Sequence, residues 1–331
     1  MTKRWRLAAF ALGAALFAFL LYHTGLATLA ANLKRTGWML VPVCLLWIPI
    51  FLCRTAAWQL TMGGTPGPTP PFWRTWVIAV TTFGVNLVTP FVQAGGEVLR
   101  VKAVAPWMGT QRATGSTVTY YMLHALSNMA LWLAGLIVAL LFLPLPRQWA
   151  LTFGIVAAVV LGIIIFIMSR HQHGVVDPLV RLLRLVPLIG RRLAAPLEAV
   201  QTYIDELDAV IVAFYRHNRA RFWLALAIDT LGRVIAVGEY WLIARGVGLN
   251  VTFLQAFVIG ALGALIVNVI FFVPLEAGVK EGGFYLVFQL LGLDPALGVF
   301  AAIVQRLREF VWIAIGLAFI PLAGGKQTEP E

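Results

Sequence analysis

The sequence predicts an all-α polytopic membrane protein with about six full spans and two re-entrant helical segments, its halves related as an inverted repeat. One reason is composition: the 331 residues are 60% hydrophobic and 12% charged, whereas soluble domains are about 25% charged. A second is that long apolar runs alternate with short polar segments. A third is that two apolar runs broken by proline and glycine occupy matching places in the two halves. This composition excludes a soluble enzyme, a disordered chain and a secreted disulfide scaffold.

The positive charge of the chain points to membrane lipids as its surroundings. The chain has 25 Lys and Arg against 14 Asp and Glu, a net charge of +11. The basic side chains cluster between the apolar runs, which is typical of cytoplasmic loops that face anionic headgroups. Nucleic acid is therefore not expected as a partner. The two cysteines, Cys44 and Cys53, point to different faces of one helix, and we interpret them as small hydrophobic residues.

Six apolar runs are predicted to cross the membrane, whose hydrocarbon core is about 30 Å thick. They are residues 7–22, 38–52 with an extension past Arg54, 117–143, 149–168, 222–244 and 296–320. The first run could instead be a cleaved signal peptide. We favour a retained helix because further spans follow it.

Residues 169–221 form the one long polar stretch, with eight arginines and five acidic residues. Apolar positions recur there with a helical period, which predicts two amphipathic helices lying on the membrane surface. Because arginine-rich segments stay inside, this stretch and both termini are predicted to be cytoplasmic, in contact with anionic inner-leaflet lipids. We treat 1–331 as a single integral membrane domain, with 169–221 as an insertion and 321–331 as a short polar tail.

The same charge rule predicts the two re-entrant segments. The loop 61–72 and the segment 94–116 both fall inside, so the stretch 73–93 should enter and return without crossing. The segment 253–293 should likewise dip in from the outside. Its second part has only about thirteen residues, too few to cross the bilayer.

A short pattern repeats in these two segments. Glu97 follows Pro90 by seven residues, and Glu281 follows Pro274 by the same interval. Broken helices at matching places, entering from opposite faces, are typical of an inverted repeat with a binding site at its centre. The glycines inside the two intervals are Gly95, Gly96 and Gly278.

Charged side chains within the apolar runs are the candidate substrate-binding residues. A charge at mid-bilayer costs about 2.5–3.5 kcal/mol on insertion scales, so these side chains should converge on a wet or internally paired centre. Arginine can hold a phosphate bidentately while glutamate positions it. Arg308 has no acidic residue four positions away and is the strongest single headgroup ligand. The full set is Glu97, Arg100, Asp229, Arg233, Glu281, Arg306, Arg308 and Glu309.

A structural alternative stays open for part of this set. Asp229 and Arg233 lie four residues apart on one helix face, and Arg306 shares a face with Glu309. Both pairs could be salt bridges that hold helices together rather than binding residues. Breaking such a pair would then misfold the protein instead of impairing binding.

The remaining polar residues predict neither a metal site nor catalysis. His124 and Asn128 lie on one face and are predicted to make an ordinary hydrogen bond between helices. His171 and His173 lie in a loop without partner ligands. The sequence contains no recognisable catalytic or nucleotide-binding motif, so we expect no enzyme activity and no cofactor.

Two short motifs resemble those of a known family. Residues 90–100 read Pro-x4-Gly-Gly-Glu-x2-Arg, and residues 274–281 read Pro-x3-Gly-x2-Glu. A last helix with Arg306 and Arg308 follows the second motif. In these features the chain is similar to the lysylphosphatidylglycerol synthase transmembrane-region family, also called flippase-like integral membrane proteins. The resemblance covers most of the chain.

Further details refine the resemblance. The residues 281–284 and 306–309 look most like the hopanoid-biosynthesis-associated branch of the family. One departure is Leu275-Glu276, which stands where the family usually has two glycines and adds a carboxylate. The full-length synthases carry a soluble aminoacyl-transfer domain that this sequence does not contain. The resemblance therefore implies the lipid-handling half rather than the synthase reaction.

The resemblance and the buried charges together predict a function. We expect a transporter that moves an amphipathic lipid, phospholipid or hopanoid-type, between leaflets through a central polar cavity. Its expected place is the bacterial cytoplasmic membrane. Two alternatives stay open: an intramembrane lipid-modifying enzyme, and a scaffold that partners lipid-biosynthetic enzymes and transports nothing.

Overall fold

The computed structural model describes residues 31, 34, 37–63, 67–88, 95–170, 218–270, 273, 276 and 278–323. All regular structure in this part of the chain is helical. A short 3-10 turn, Gly37–Met39, leads into the first α-helix. The α-helices are α1 (Leu40–Met62), α2 (Phe72–Val88), α3 (Gly95–Met108), α4 (Thr110–Phe142), α5 (Arg147–Arg170), α6 (Arg219–Gly246), α7 (Phe253–Val269), α8 (Val279–Leu290), α9 (Pro295–Ala318) and α10 (Ile320–Ala323).

The predicted spans are helical wherever the structure describes them. Among the described residues, three helices are long and apolar enough to cross a membrane: Gly37–Met62, Thr110–Phe142 and Arg147–Ser169. α6 and α9 have 28 and 24 residues, enough for about 36 Å or more at about 1.5 Å per residue, but both carry charged side chains in their middle turns. The predicted span 7–22 and the surface helices predicted within 169–221 lie outside the described residues.

Three segments that the sequence treats as connections or tail contain helix. Residues 94–116 include all of α3 and the first turns of α4, separated only by Gly109. The apolar side chains Val104 and Met108 are buried there. The segment is therefore helical despite its many charges, because one apolar face packs against the rest of the protein. The predicted loop 61–72 contains the last two residues of α1 and the first residue of α2. The predicted tail 321–331 contains the last three residues of α10, which packs against α2.

Each of the two broken segments forms a pair of short helices. α2 packs against α3, and α7 packs against α8. The four helices have 17, 14, 17 and 12 residues. Each is therefore about 18–26 Å long, shorter than a hydrocarbon core of about 30 Å. This helix–break–helix form is the one that the sequence predicts for re-entrant segments.

Helices of the first half of the chain pack against helices of the second half. α1 of the first half packs along α6 of the second. α2 packs against α9, and α7 packs against α4 in the reciprocal contact. Each broken pair also packs on the long helix that follows it, α3 on α4 and α8 on α9. The interior consists of two buried clusters, one around Trp58 and Tyr120 and one around Phe284 and Phe300.

Small residues allow a close approach between helices of the two halves, α2 with α9 and α4 with α7. A Cβ added to Gly316 of α9 would lie 2.6 Å from the carbonyl oxygen of Val80 and 3.2 Å from the Cα of Gly84, both in α2. In the reciprocal contact, a Cβ added to Gly135 of α4 would lie 2.2 Å from the Cβ of Ala261 in α7. Neither contact has room for a methyl group, so the backbones approach directly, as they do at many helix crossings in membranes.

Gly316→Ala should therefore lower the stability of the protein. The new methyl group meets backbone atoms that cannot rotate away, and overpacking of this kind costs about 1–3 kcal/mol. We expect a lower midpoint of thermal unfolding in detergent. Gly162→Ala is the matched control, because a Cβ added to that glycine of α5 has nothing within 4 Å. Equal midpoints for the two variants would contradict the direct approach of α2 and α9.

Candidate functional site

A cavity of about 260 Å³ lies where α1, α4, α6, α7, α8 and α9 meet. Part of its wall is apolar and includes Trp47, Leu131 and Phe284. Four basic and three acidic side chains line the rest, a formal excess of one positive charge. They are Arg54, Arg233, Lys280, Arg308, Glu239, Glu276 and Glu309. A concave space with this many charges inside an apolar bundle is the candidate site of the protein.

Arg308 is held at the cavity wall by an acidic residue of another helix. Its Nε and Nη2 donate to the two carboxylate oxygens of Glu239 in α6, at 3.1 and 3.2 Å. Its Cζ lies 3.8 Å from the ring centre of Trp47, whose Nε1 donates to the same carboxylate at 3.1 Å. Its Nη1 has no hydrogen-bond partner and lies 3.7 Å from Glu309. Spacing along α9 alone does not reveal this acidic partner.

Residues of α8 form further ion pairs next to the cavity. Lys280 Nζ lies 2.7 Å from Glu309 and 3.0 Å from Glu276. Glu281 is fully buried and accepts hydrogen bonds from Nε and Nη2 of Arg306. The sequence suggests a pair of Arg306 with Glu309, whereas the ion pairs of the structure join these two residues to Glu281 and Lys280 of α8. Because α8 packs along α9, each of the two residues has a closer partner across the helix interface.

Asp229 and Arg233 belong to a saturated network between α4 and α6. Arg233 Nε donates to the hydroxyl of Ser127 at 2.8 Å and lies 3.3 Å from Asp229. Its Nη1 donates to the side chain of Asn128 at 2.8 Å, and its Nη2 donates to the carbonyl of His124 at 2.7 Å. The His124 ring lies 3.0 Å from Asp229, so the interhelical bonds predicted for His124 and Asn128 are confirmed. Every nitrogen of the guanidinium has a partner, which favours the structural alternative for this pair.

Arg54 is a cavity residue that the sequence prediction does not include. The prediction extends the second span past Arg54 without giving the residue a role at the site, whereas the structure shows that it lies inside α1 and lines the cavity. Its Cζ lies 5.2 Å from the ring centre of Trp47 and 6.0 Å from that of Phe51. It has no hydrogen bond or ion pair with any residue that the structure describes. A charge in mid-run is the signal that could have identified it.

Glu239 and Lys280 also line the cavity and are also missing from the predicted set. Glu239 is a third charge in the predicted span 222–244, and it is 2% exposed. Lys280 directly precedes Glu281 in the second motif and is 6% exposed. Both residues could have been identified from the sequence, because each is a charged residue within or beside an apolar run.

The first motif lies in a different polar cluster, between α1, α3 and α4. Glu97 Oε1 accepts hydrogen bonds from Nδ2 of Asn86, at 2.9 Å, and from the hydroxyl of Tyr121. The backbone N–H of Gly96 donates to Asn86 at 2.8 Å, and a Cβ on Gly96 would lie 2.4 Å from a carbonyl oxygen of α2. Arg100 is buried against aromatic rings and forms no ion pair within the described chain. Neither Glu97 nor Arg100 lines the cavity.

Residues 6–316 match the family model of the lysylphosphatidylglycerol synthase TM region. The chain belongs to this family. The resemblance predicted from the two motifs is thereby confirmed, and the protein is a multi-pass integral membrane protein of a family linked to lipid modification and flipping. No curated protein and no solved structure matches the chain.

The departure from the family pattern of the lysylphosphatidylglycerol synthase TM region has a visible structural consequence. Glu276, which stands where the family usually has glycine, keeps a left-handed backbone with φ of +53°. Such a backbone costs about 1–2 kcal/mol for a residue with a Cβ. The Glu276 carbonyl accepts from Arg306 Nη2 at 3.0 Å, and its carboxylate pairs with Lys280. Gly278, with φ of +73°, is the N-cap residue directly before α8. The prolines of both motifs, Pro90 and Pro274, lie outside the described residues.

The candidate residues of this lysylphosphatidylglycerol synthase TM-region protein converge on more than one centre. Three of the predicted residues line the cavity: Arg233, Arg308 and Glu309. Three others are paired beside it: Asp229, Glu281 and Arg306. The remaining two form the separate cluster at the first motif: Glu97 and Arg100. The single polar centre expected from the sequence is thus divided between a cavity and a cluster that does not line it.

Proposed function

We propose that this protein moves an amphipathic lipid with a phosphate-bearing headgroup between the leaflets of the bacterial cytoplasmic membrane. The headgroup passes through the central cavity while the acyl chains stay in the bilayer. Membership of a family linked to lipid handling supports the general function. The observation that carries the proposal is Arg54, a guanidinium that lines the cavity and forms no ion pair within 4 Å with a carboxylate of the described residues.

The other basic residues of the cavity are already engaged. Lys280 lies between two glutamates, and Arg233 uses all its nitrogens in the network with α4. Arg308 gives two of its nitrogens to its carboxylate partner. A ligand therefore meets Arg54, which lies near the ring of Trp47. The Nη1 of Arg308, near the same ring, also lacks a hydrogen-bond partner, but it is buried. Guanidinium groups prefer phosphate oxygens, which favours a phospholipid over the uncharged hydroxylated headgroup of a hopanoid-type lipid.

The arrangement of helices supports movement across the membrane. The cavity of about 260 Å³ has room for a small headgroup but not for a whole lipid. The reciprocal contacts of α2 with α9 and of α7 with α4 support an inverted repeat of two units, α1–α4 and α6–α9. In transporters with such repeats, the site lies at their interface and opens alternately to the two sides. In the proposed topology, α2–α3 and α7–α8 are re-entrant and the termini are cytoplasmic.

Movement of labelled phosphatidylglycerol in liposomes tests the proposal. The purified full-length chain is reconstituted, and the fraction of label that a membrane-impermeant reductant can reach is followed over time. We expect faster movement than in protein-free liposomes, and a smaller acceleration for a labelled galactolipid that has hydroxyl groups but no phosphate. Equal rates with and without protein overturn the proposal. Re-extracted lipid should be chemically unchanged, whereas a modified lipid would support the enzyme alternative.

A further inference from the structure

Arg100 of α3 is a buried cation, and two of its three guanidinium nitrogens have no hydrogen-bond partner. The residue is 6% exposed, and its Nε and Nη1 have no hydrogen-bond partner. Its Cζ lies 4.4, 5.0 and 5.2 Å from the ring centres of Trp58, Tyr120 and Tyr121. These cation–π contacts offset part of the cost of burying the charge. They do not satisfy the N–H groups, which lie in the guanidinium plane and need acceptor oxygens.

The nearest acid in the sequence does not complete this site. Glu97 precedes Arg100 by three residues, so the two side chains share one surface of α3. They nevertheless form no ion pair within 4 Å, because Glu97 Oε1 is engaged by Asn86 and Tyr121. The other oxygen, Oε2, is buried and has no partner. The buried arginines of the α6–α9 region, Arg233 and Arg308, both have carboxylate partners, which sets the Arg100 cluster apart.

We propose that the cluster between α1, α3 and α4 is a second binding site, for a phosphate ester that also carries a hydroxyl or ammonium group. A phosphate oxygen accepts a hydrogen bond from Nε of Arg100, a second acceptor oxygen of the same ligand accepts one from Nη1 on another edge of the guanidinium, and the hydroxyl or ammonium group donates to Oε2 of Glu97. One ligand thereby satisfies three polar atoms that the chain leaves without partners. A simple anion would satisfy Arg100 but would face the carboxylate of Glu97, whose like charge disfavours it.

The position of this site relates it to the central cavity. Trp58, against which Arg100 lies, follows Arg54 by four residues and therefore shares its face of α1, about 6 Å along the axis. Arg308, Arg54 and Arg100 thus lie against aromatic residues of the same helix. This part of the inference rests on the proposed function: a headgroup bound at Arg100 is one helical turn from the free guanidinium that lines the cavity. Binding itself does not depend on transport.

Equilibrium binding to the purified full-length protein in neutral detergent tests the site. The probes are short-chain phosphatidylglycerol, which has phosphate and hydroxyl groups, short-chain phosphatidylcholine, which has phosphate but no donor, and glycerol 1-phosphate. We expect two bound phosphatidylglycerol molecules per chain, one in the cavity and one at Arg100. Arg100→Gln should reduce this number to one. Lys102→Gln, which removes a positive charge from the exposed side of the same helix, should leave it at two.

Two further variants keep the test decisive. Arg100→Lys retains the charge if Arg100→Gln does not fold, and it should weaken one of the two sites about tenfold because the planar fork is lost. Glu97→Gln should reduce the preference for phosphatidylglycerol over phosphatidylcholine.

Two unchanged sites in folded Arg100 variants overturn the inference. Equal affinity for glycerol 1-phosphate and phosphatidylglycerol would support the site with a soluble phosphate ester as its source. Intact binding at Arg100 without any lipid movement would overturn only the proposed function.

Discussion

Arg308→Ala should destabilise the protein by about 3–5 kcal/mol, the largest stability loss that we expect from a single cavity residue. Arg308 and Glu239 are 3% and 2% exposed, and the pair is joined by two hydrogen bonds. Removing the guanidinium leaves the Glu239 carboxylate buried, with the Trp47 indole as its one remaining hydrogen-bond donor among the described residues. An uncompensated charge in an apolar bundle costs far more than a lost surface contact. The measurement is the midpoint of thermal unfolding in detergent, together with the yield of monodisperse protein.

A double variant separates the loss of a charge partner from the loss of side-chain volume. Arg308→Met combined with Glu239→Gln removes both charges and keeps most of the volume, so it should recover much of the lost stability. Arg245→Ala is the matched control: that arginine is exposed and lies 5.2 Å from the ring centre of Trp241. It should change the midpoint little. If Arg308→Ala unfolds at the same temperature as Arg245→Ala, the buried pair does not hold α6 and α9 together.

The fold could be predicted from the sequence to the extent that it depends on local pattern. Long apolar runs predict the helices α1, α4 and α5, because burial in lipid requires a continuous apolar surface. Proline and glycine close together predict the breaks in the α2–α3 and α7–α8 pairs, because proline removes a helix hydrogen bond and glycine weakens the helix. A single proline does not suffice, since α1 contains Pro49 and α3 contains Pro106. α3 is harder to predict, since its charges mask an apolar face that only the packing against α4 reveals. The contacts between the two halves, α2 with α9 and α4 with α7, join residues far apart in the sequence, so no local pattern predicts them.

The site could be predicted in its residue types but not in its pairings. A charge inside an apolar run can be recognised in the sequence. Three of the residues selected in this way line the cavity: Arg233, Arg308 and Glu309. Partners on the same helix, such as Asp229 and Arg233, can be recognised by spacing. Partners on different helices cannot, because α6, α8 and α9 meet only in the folded chain. Identifying which cation is left without a partner therefore requires the structure.

Arg54→Gln should slow the movement of phosphatidylglycerol by about tenfold to a hundredfold while leaving the protein folded. A hydrogen bond to a charged group contributes about 1.5–3 kcal/mol, which corresponds to roughly this range in rate if the headgroup contact limits transfer. The variant should not unfold more easily, because Arg54 is half-buried and makes no hydrogen bond or ion pair with the described residues. It therefore differs from Arg308, whose loss affects the fold itself.

The comparison with Arg245→Gln makes this prediction specific. Both arginines lie 5.2 Å from the ring centre of a tryptophan, Trp47 for Arg54 and Trp241 for Arg245, so the two substitutions remove the same kind of aromatic contact. Only Arg54 lines the cavity. A headgroup pathway through the cavity requires a slow rate for Arg54→Gln and an unchanged rate for Arg245→Gln, with equal unfolding midpoints. If both variants fold and move phosphatidylglycerol at the wild-type rate, no phosphate depends on Arg54, and the lipid crosses by another route.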